Sequence, residues 1–249
     1  MFNPQPTAYD VSFRFLGFPV RVHPLFWVIA ALLGSHGEIG DLKTWLVDLA
    51  VWIAAVFIAI LMHELGHGLV FRYVFRVRSM IVLHGAGGLA MPLTRHQRKP
   101  GLLGFFSEVF LSAAGVLAGF LLVLFVCVFL GLIGTAIRIG GLTLGPVWLP
   151  IVVPDLKNPY LSQFFFNLSL VCIMWGVLNL LPVYPLDGGH IAREVLCLIS
   201  PRTGAANSLA LSIVVAVFIA ILWLQMGIFI NAMLFGYLAF LSWQTLSGS

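Results

Sequence analysis

Charge is what this 249-residue chain has least of: Asp, Glu, Lys and Arg together make up 9% of it. A water-soluble domain carries about 25%. With 61% hydrophobic residues the composition excludes an ordinary soluble globule and puts the chain in a bilayer. Cysteine is scarce as well, only Cys127, Cys172 and Cys197. An odd number set among apolar neighbours excludes a disulfide framework and points to buried free thiols. The first ten residues contain no basic residue ahead of an apolar stretch, so insertion is expected through the chain's own spans rather than a cleaved signal peptide. Internal repeats, low-complexity tracts and a second soluble domain are all missing, which leaves a single membrane-embedded domain over residues 1–249 as the expectation.

Acid is rarer than base, 9 residues against 13, and the bases cluster. Arg72, Arg76, Arg78, Arg95, Arg98 and Lys99 fall in one stretch that holds no acid. Arg14, Arg21, Arg193 and Arg202 lie in segments that the span order puts on the same side. The positive-inside rule makes that side cytoplasmic, and the expected location is the cell (inner) membrane. These charges border apolar spans, so a nucleic-acid-binding patch is excluded as their purpose.

What fills the chain is apolar runs. Spans are expected near residues 24–34, 45–71, 104–131, 161–181, 208–224 and 228–243. The first is brief for a crossing. The stretch 208–243 is too long for one helix in a hydrocarbon core of about 30 Å, and Gln225-Met226-Gly227 divides it. Pro182 and Pro185 stop the fourth span, and a short surface helix is expected over Ile191–Ile199. Apolar–polar alternation around Gly17 and Pro19 predicts a β-hairpin over 11–22. Strand character from Val77 to Leu83, followed by a glycine-rich Gly85–Met91, predicts another over 77–91. Together they can form one small sheet at the cytoplasmic surface. Gly34–Lys43, with Glu38 and Asp41, and the Gly- and Pro-rich Gly134–Pro159 are expected as loops on the opposite side. The fold class is therefore an α-helical polytopic membrane protein with about six transmembrane helices and a small membrane-associated β-sheet. Six spans return both termini to the side of the basic loops.

Within the second span stands Leu61-Met62-His63-Glu64-Leu65-Gly66-His67. On a helix His63 and His67 share a face one turn apart, with Glu64 beside it. That is the zinc-hydrolase pattern: two imidazoles hold the metal, and the carboxylate takes a proton from a water on it. A catalytic zinc needs a third protein ligand. Asp187, in Asn179-Leu180-Leu181-Pro182-Val183-Tyr184-Pro185-Leu186-Asp187-Gly188-Gly189-His190, is the candidate. It follows two prolines that force non-helical backbone, tolerated at membrane depth only where buried or lining a watery cavity. An ionisable residue there is a functional candidate; the alternative is a cap on the following helix. His190 is either a partner of the metal ligands or a surface residue. His84 and His96 are expected in solvent, His23 as a helix cap or a snorkelling side chain at the span start, and Glu108 in an ion pair near the basic loop. Ser112-Ala113-Ala114-Gly115 and Gly119 in the third span are expected to serve helix packing.

The HELGH motif in the second span, the NLLPVYPLDGG segment and the two hairpins together resemble the site-2 protease family of intramembrane zinc metalloproteases, over Val11 to about Trp243. The resemblance implies one Zn2+ held by His63, His67 and Asp187, with Glu64 as general base. It implies a substrate that is the transmembrane segment of another protein, cut near the cytoplasmic side. It also implies an edge strand in the 77–91 region that holds this substrate extended. Asn179 is implied to bind substrate backbone or the oxyanion, and interhelical hydrogen bonding remains its alternative. The chain departs from the family at Ala114-Gly115-Val116, where an Ala-Gly-Pro turn is usual. It also lacks the PDZ and CBS domains of some members, so selection of substrate rests on the membrane domain or on a regulatory membrane partner of unknown identity. Two rivals stand beside this reading. A transporter or metal permease is disfavoured by the lack of repeated halves; a catalytically dead scaffold is disfavoured by the retained Glu64.

Overall fold

The structure is a computed structural model and describes residues 5–34, 41–94, 101–144 and 147–248. The expected positions of Glu38, Arg95, His96, Arg98 and Lys99 lie outside the described residues. The elements run β1 (Val11–Phe15), β2 (Phe18–Val22), α1 (Pro24–Gly34), α2 (Leu42–Tyr73), β3 (Ser79–His84), β4 (Gly87–Pro92), α3 (Gly101–Leu132), β5 (Ile137–Leu144), β6 (Val147–Pro154), α4 (Pro159–Asn179), α5 (Asp187–Ile199), α6 (Gly204–Gln225) and α7 (Phe229–Ser247). They divide into two compact units, residues Met1–His96 with Ala114–Gly176, and Gln97–Ala113 with Val177–Ser249.

In the first unit both expected hairpins form, and they join into one four-stranded sheet in the order β1-β2-β3-β4. The hairpins meet through parallel pairing of β2 with β3, Val20 opposite Ile81 and Val22 opposite Leu83. Leu16 and Gly17, both with positive φ, make the two-residue turn between β1 and β2. Arg72, at the end of α2, latches this turn: its Nη1 donates to the Leu16 carbonyl at 3.1 Å, and its guanidinium lies 3.7 Å from the Phe18 ring centre. Phe18, Val20 and Val22 of β2 and Ile81 and Leu83 of β3 pack with Phe26 and Ala30 of α1 and with Val56, Ile60, Leu61 and Leu65 of α2. The sheet is thus seated on the helix that carries the histidine motif. Arg21 is buried on β2 because Asp10 pairs with it at 3.1 Å.

Helix α2 starts where the Asp41 carboxylate accepts hydrogen bonds from Thr44, at 3.0 Å from the amide and 2.8 Å from the hydroxyl. His23 caps α1 as expected: its Nδ1 accepts from the Leu25 amide at 3.2 Å. Ala55 and Ala59 of α2 pack against Val126 and Leu130 of α3 and Leu168 and Cys172 of α4. His84 departs from expectation. It is half-buried rather than solvated, and burial, followed by the nearby His23 and Arg21, lowers its pKa below the usual 6.5. The segment expected as a loop over Gly134–Pro159 is a third hairpin, with β5 antiparallel to β6 from Ile137 opposite Pro154 to Leu144 opposite Val147. Its glycines and prolines read as breakers, yet Gly140 and Gly141 sit inside β5 and Pro150 and Pro154 inside β6.

In the second unit α6 and α7 are separate helices, divided at Gly227 with φ +76. Ala216 of α6 packs with Phe235, Leu238 and Ala239 of α7 and with Val183 of the turn before α5. Helix α5 begins at Asp187, four residues earlier than expected. All three cysteines are free, but of the expected buried thiols only Cys172 is buried, while Cys127 and Cys197 are half-buried.

Five described helices, α2, α3, α4, α6 and α7, are long and apolar enough to cross a membrane. Helix α1 has 11 residues. At 1.5 Å per residue it spans about 16 Å, roughly half of a hydrocarbon core. Of the six expected spans, the first is therefore not a full-length crossing on its own.

Candidate metal centre

Near the end of α2, His63, Glu64 and His67 are buried, at 4%, 4% and 9% exposure. Helical spacing sets the two imidazoles edge to face, with ring centres 4.9 Å apart, and brings their Nε2 atoms to 3.2 Å. Two nitrogens of a tetrahedral zinc site with bonds of about 2.0–2.1 Å lie about 3.3 Å apart, so the pair already has the separation of one edge of such a site.

A second feature keeps the space in front of the nitrogens open. Gly115 of α3 faces them, and a Cβ there would overlap Nε2 of both His63 and His67. The close approach begins one residue earlier: a Cβ at Gly66 of α2 would collide with the Ala114 carbonyl. Sequence reasoning treated this stretch of α3 as packing only. It does pack, and its glycine also leaves the cradle a metal ion needs. No local signal distinguishes Gly115 from the small residues around it, since the distinction depends on how α3 meets α2. A soft-to-borderline donor pair of two imidazoles suits zinc, and the observed spacing and the cradle both fit it.

Glu64 points toward β4. A Cβ at Gly88 would overlap the Glu64 side chain, so the strand's backbone runs against the carboxylate. Among the described residues β4 has β3 on one side and no strand on the other. A sheet edge and a carboxylate therefore lie side by side within the first unit.

In the second unit, Asp187 occupies the first turn of α5, after the extended Leu186, rather than the non-helical stretch expected for it. The two glycines after it are buried, and the first turn is packed hard on the preceding chain. Asn179, the last residue of α4, is buried. His190 is exposed, with its ring centre 5.6 Å from that of Tyr184, which fits the surface alternative. Glu108 is half-buried in the second turn of α3.

A helical chain with spans long enough to cross a membrane thus carries paired imidazoles and a carboxylate beside a sheet edge. The family model for peptidase family M50 matches residues 51–224, and the chain belongs to that family. A zinc metalloprotease of Methanocaldococcus jannaschii is 24% identical over 219 residues, covering 87% of this chain and 53% of the relative. The chain thus spans about half the length of that relative. The solved site-2 protease from Methanocaldococcus jannaschii shares the fold, with a TM-score of 0.55 and 21% identity over 96% of this chain and 95% of that one.

Proposed function

We propose that this chain is a zinc-dependent endopeptidase that hydrolyses a peptide bond in or near the transmembrane segment of another membrane protein. The observation that carries the reading is the His63–His67 pair, with Nε2 atoms at 3.2 Å around the space kept clear at Gly115. His63, His67 and Asp187 would hold a single zinc ion, supplying two imidazole nitrogens and one carboxylate oxygen. When bound, zinc supplies Lewis-acid chemistry, acidifying water and polarising a carbonyl.

The chain's own residues do the rest. Glu64 takes a proton from the attacking water and hands it to the leaving nitrogen. Its burial keeps bulk solvent from competing for that proton, while the polar cluster gives water a reason to be there. A helical substrate hides its amides in internal hydrogen bonds and must unwind to be cut. The outer edge of β4, beside Glu64 and without a neighbouring strand among the described residues, offers backbone partners that offset the lost bonds. Asn179 holds substrate backbone or the developing oxyanion with its side-chain amide. The chain acts as one protease domain within the bilayer, with the basic loops and both termini cytoplasmic and the cut near that side. Substrate selection falls to the membrane domain or to a membrane partner.

The test is cleavage of a co-expressed single-span protein. Glu64→Gln is expected to retain zinc and lose cleavage, because metal binding does not need the base. Cleavage at the wild-type rate by this variant would refute the assignment of Glu64.

A further inference from the structure

Helices α6 and α7 follow every residue so far given a role, and α7 lies beyond residue 224, where the family match ends. Two of their serines are nonetheless the most deeply buried polar side chains among the described residues of the second unit: Ser212 of α6 and Ser242 of α7 are both 0% exposed. Their hydroxyls lie 2.7 Å apart. Burying a hydroxyl in apolar surroundings is costly unless it is hydrogen-bonded, and most membrane-helix serines settle this on their own helix. Ser208, one turn earlier on α6, does so by donating to the Ala205 carbonyl. Ser212 instead makes its hydrogen bonds outside its helix, with Ser242 and with the amide of Tyr184.

Tyr184 lies in the turn between α4 and α5, where Pro182 and Pro185 have no N–H to give. Inside the turn, Val183 donates to the Leu181 carbonyl at 2.7 Å and Leu186 donates to the Val183 carbonyl at 2.8 Å. The polar atoms of Tyr184 turn outward to the serines: its amide donates to Ser212 Oγ at 2.8 Å, and its carbonyl accepts from Ser242 Oγ at 3.4 Å. Each hydroxyl has one hydrogen, which orders the chain of donors. Tyr184 N–H donates to Ser212, Ser212 donates to Ser242, and Ser242 donates to the Leu238 carbonyl at 2.9 Å, with the Tyr184 carbonyl as its longer contact. The turn in turn is locked to the start of α5. A Cβ at Gly189 would overlap the Val183 carbonyl and the Tyr184 amide, and one at Gly188 would overlap the carbonyls of Leu180 and Leu181. Asp187 sits between this turn and these glycines.

We infer that Ser212 and Ser242 are positioning residues for Asp187: by clamping the Tyr184 backbone they fix where the first turn of α5 presents its carboxylate. The inference rests on the reading of Asp187 as a zinc ligand, and it gives the last helix pair a part in the chemistry. Metal ligands owe much of their affinity to the groups that orient them, and loss of such a group costs about 10–100-fold in metal affinity.

The experiment compares full-length wild-type protein with Ser212→Ala, Ser242→Ala, the double variant, Ser208→Ala and Asp187→Ala, all in lipid nanodiscs. Zinc retention is read against increasing chelator, and amide hydrogen exchange is followed over residues 180–190 and over α6 and α7. Both single serine variants are expected to release zinc at about tenfold lower chelator, as for a lost orienting group. The double variant is expected to be no worse than the weaker single, because either break interrupts the same chain of donors. Exchange is expected to rise at 180–190, and Ser208→Ala to match wild type in both readouts. Serine variants that hold zinc like wild type while Asp187→Ala loses it would overturn the clamp and leave the zinc site standing. A rise in exchange spread evenly along α6 and α7 would also overturn it, since that marks general loosening. Wild-type zinc retention by Asp187→Ala would instead overturn the ligand assignment beneath it.

Discussion

In the proposed mechanism Glu64 and Gly115 serve in opposite ways. Glu64 is there the general base, a role worth about 10²–10⁴-fold in rate. Gly115 contributes emptiness. Gly115→Ala puts a methyl group on both Nε2 atoms, and the neighbour that must yield is a pair of ligands on a packed helix. Zinc content of the purified variant is therefore expected to fall well below one ion per chain, with the helical circular dichroism unchanged; full zinc occupancy would show that α3 yields instead. The His63-Glu64-His67 motif was legible because all of its chemistry is written within five residues of one helix. Gly115 was not, because its role exists only where α3 meets α2. Asp187 was singled out as a candidate from its sequence context and misplaced as backbone. The prolines before it were read as keeping it outside a helix, whereas the chain recovers helical geometry at Asp187 itself, with Leu186 still extended.

At the scale of elements, β4 links the fold to the chemistry. Its backbone runs against Glu64 at Gly88, and its outer edge carries no neighbouring strand among the described residues. Gly88→Leu is expected to lower cleavage by an order of magnitude or more while zinc content stays at wild type, since the side chain displaces Glu64 and not the imidazoles; loss of zinc with it would place the damage elsewhere. The β3–β4 turn also carries a pH dependence. The folded-state pKa of His84 is lowered by burial, so the unfolded chain binds a proton that the folded one refuses. Stability from this group is complete above about pH 6.5 and declines as pH falls below it toward the lowered folded value. Protection factors of the β3 and β4 amides, corrected for the intrinsic pH dependence of exchange, are expected to fall between pH 7 and 5, and His84→Gln to flatten that response; an equal response in the variant would assign it to another group. The two hairpins of the sheet were readable from alternation and turn residues. The hairpin β5–β6 was not, because Gly140, Gly141, Pro150 and Pro154 stand inside its strands and signal a loop by composition alone.

For the whole molecule, hydropathy gave five of the crossings with little ambiguity, since each of α2, α3, α4, α6 and α7 is long enough by itself. The shortness of α1 is where the count became delicate: 11 residues reach across only part of a bilayer, and the placement of the termini depends on whether that helix traverses. Cysteine labelling from either side of sealed vesicles is expected to report residues near both termini on the same, cytoplasmic face; labelling from opposite faces would make α1 a half-crossing. The proposed ligand set draws on two histidines of α2 and one aspartate of α5, and the zinc they would hold is the claim on which the protease reading turns. The most direct measurement is zinc-edge X-ray absorption on the purified wild-type chain, with His67→Ala and Asp187→Ala beside it. The expected result is one zinc per chain with two imidazoles and a carboxylate oxygen at about 2.0–2.2 Å, one imidazole fewer in His67→Ala and an altered oxygen shell in Asp187→Ala. A wild-type shell without imidazoles, or one that survives loss of Asp187 unchanged, would contradict the shared site.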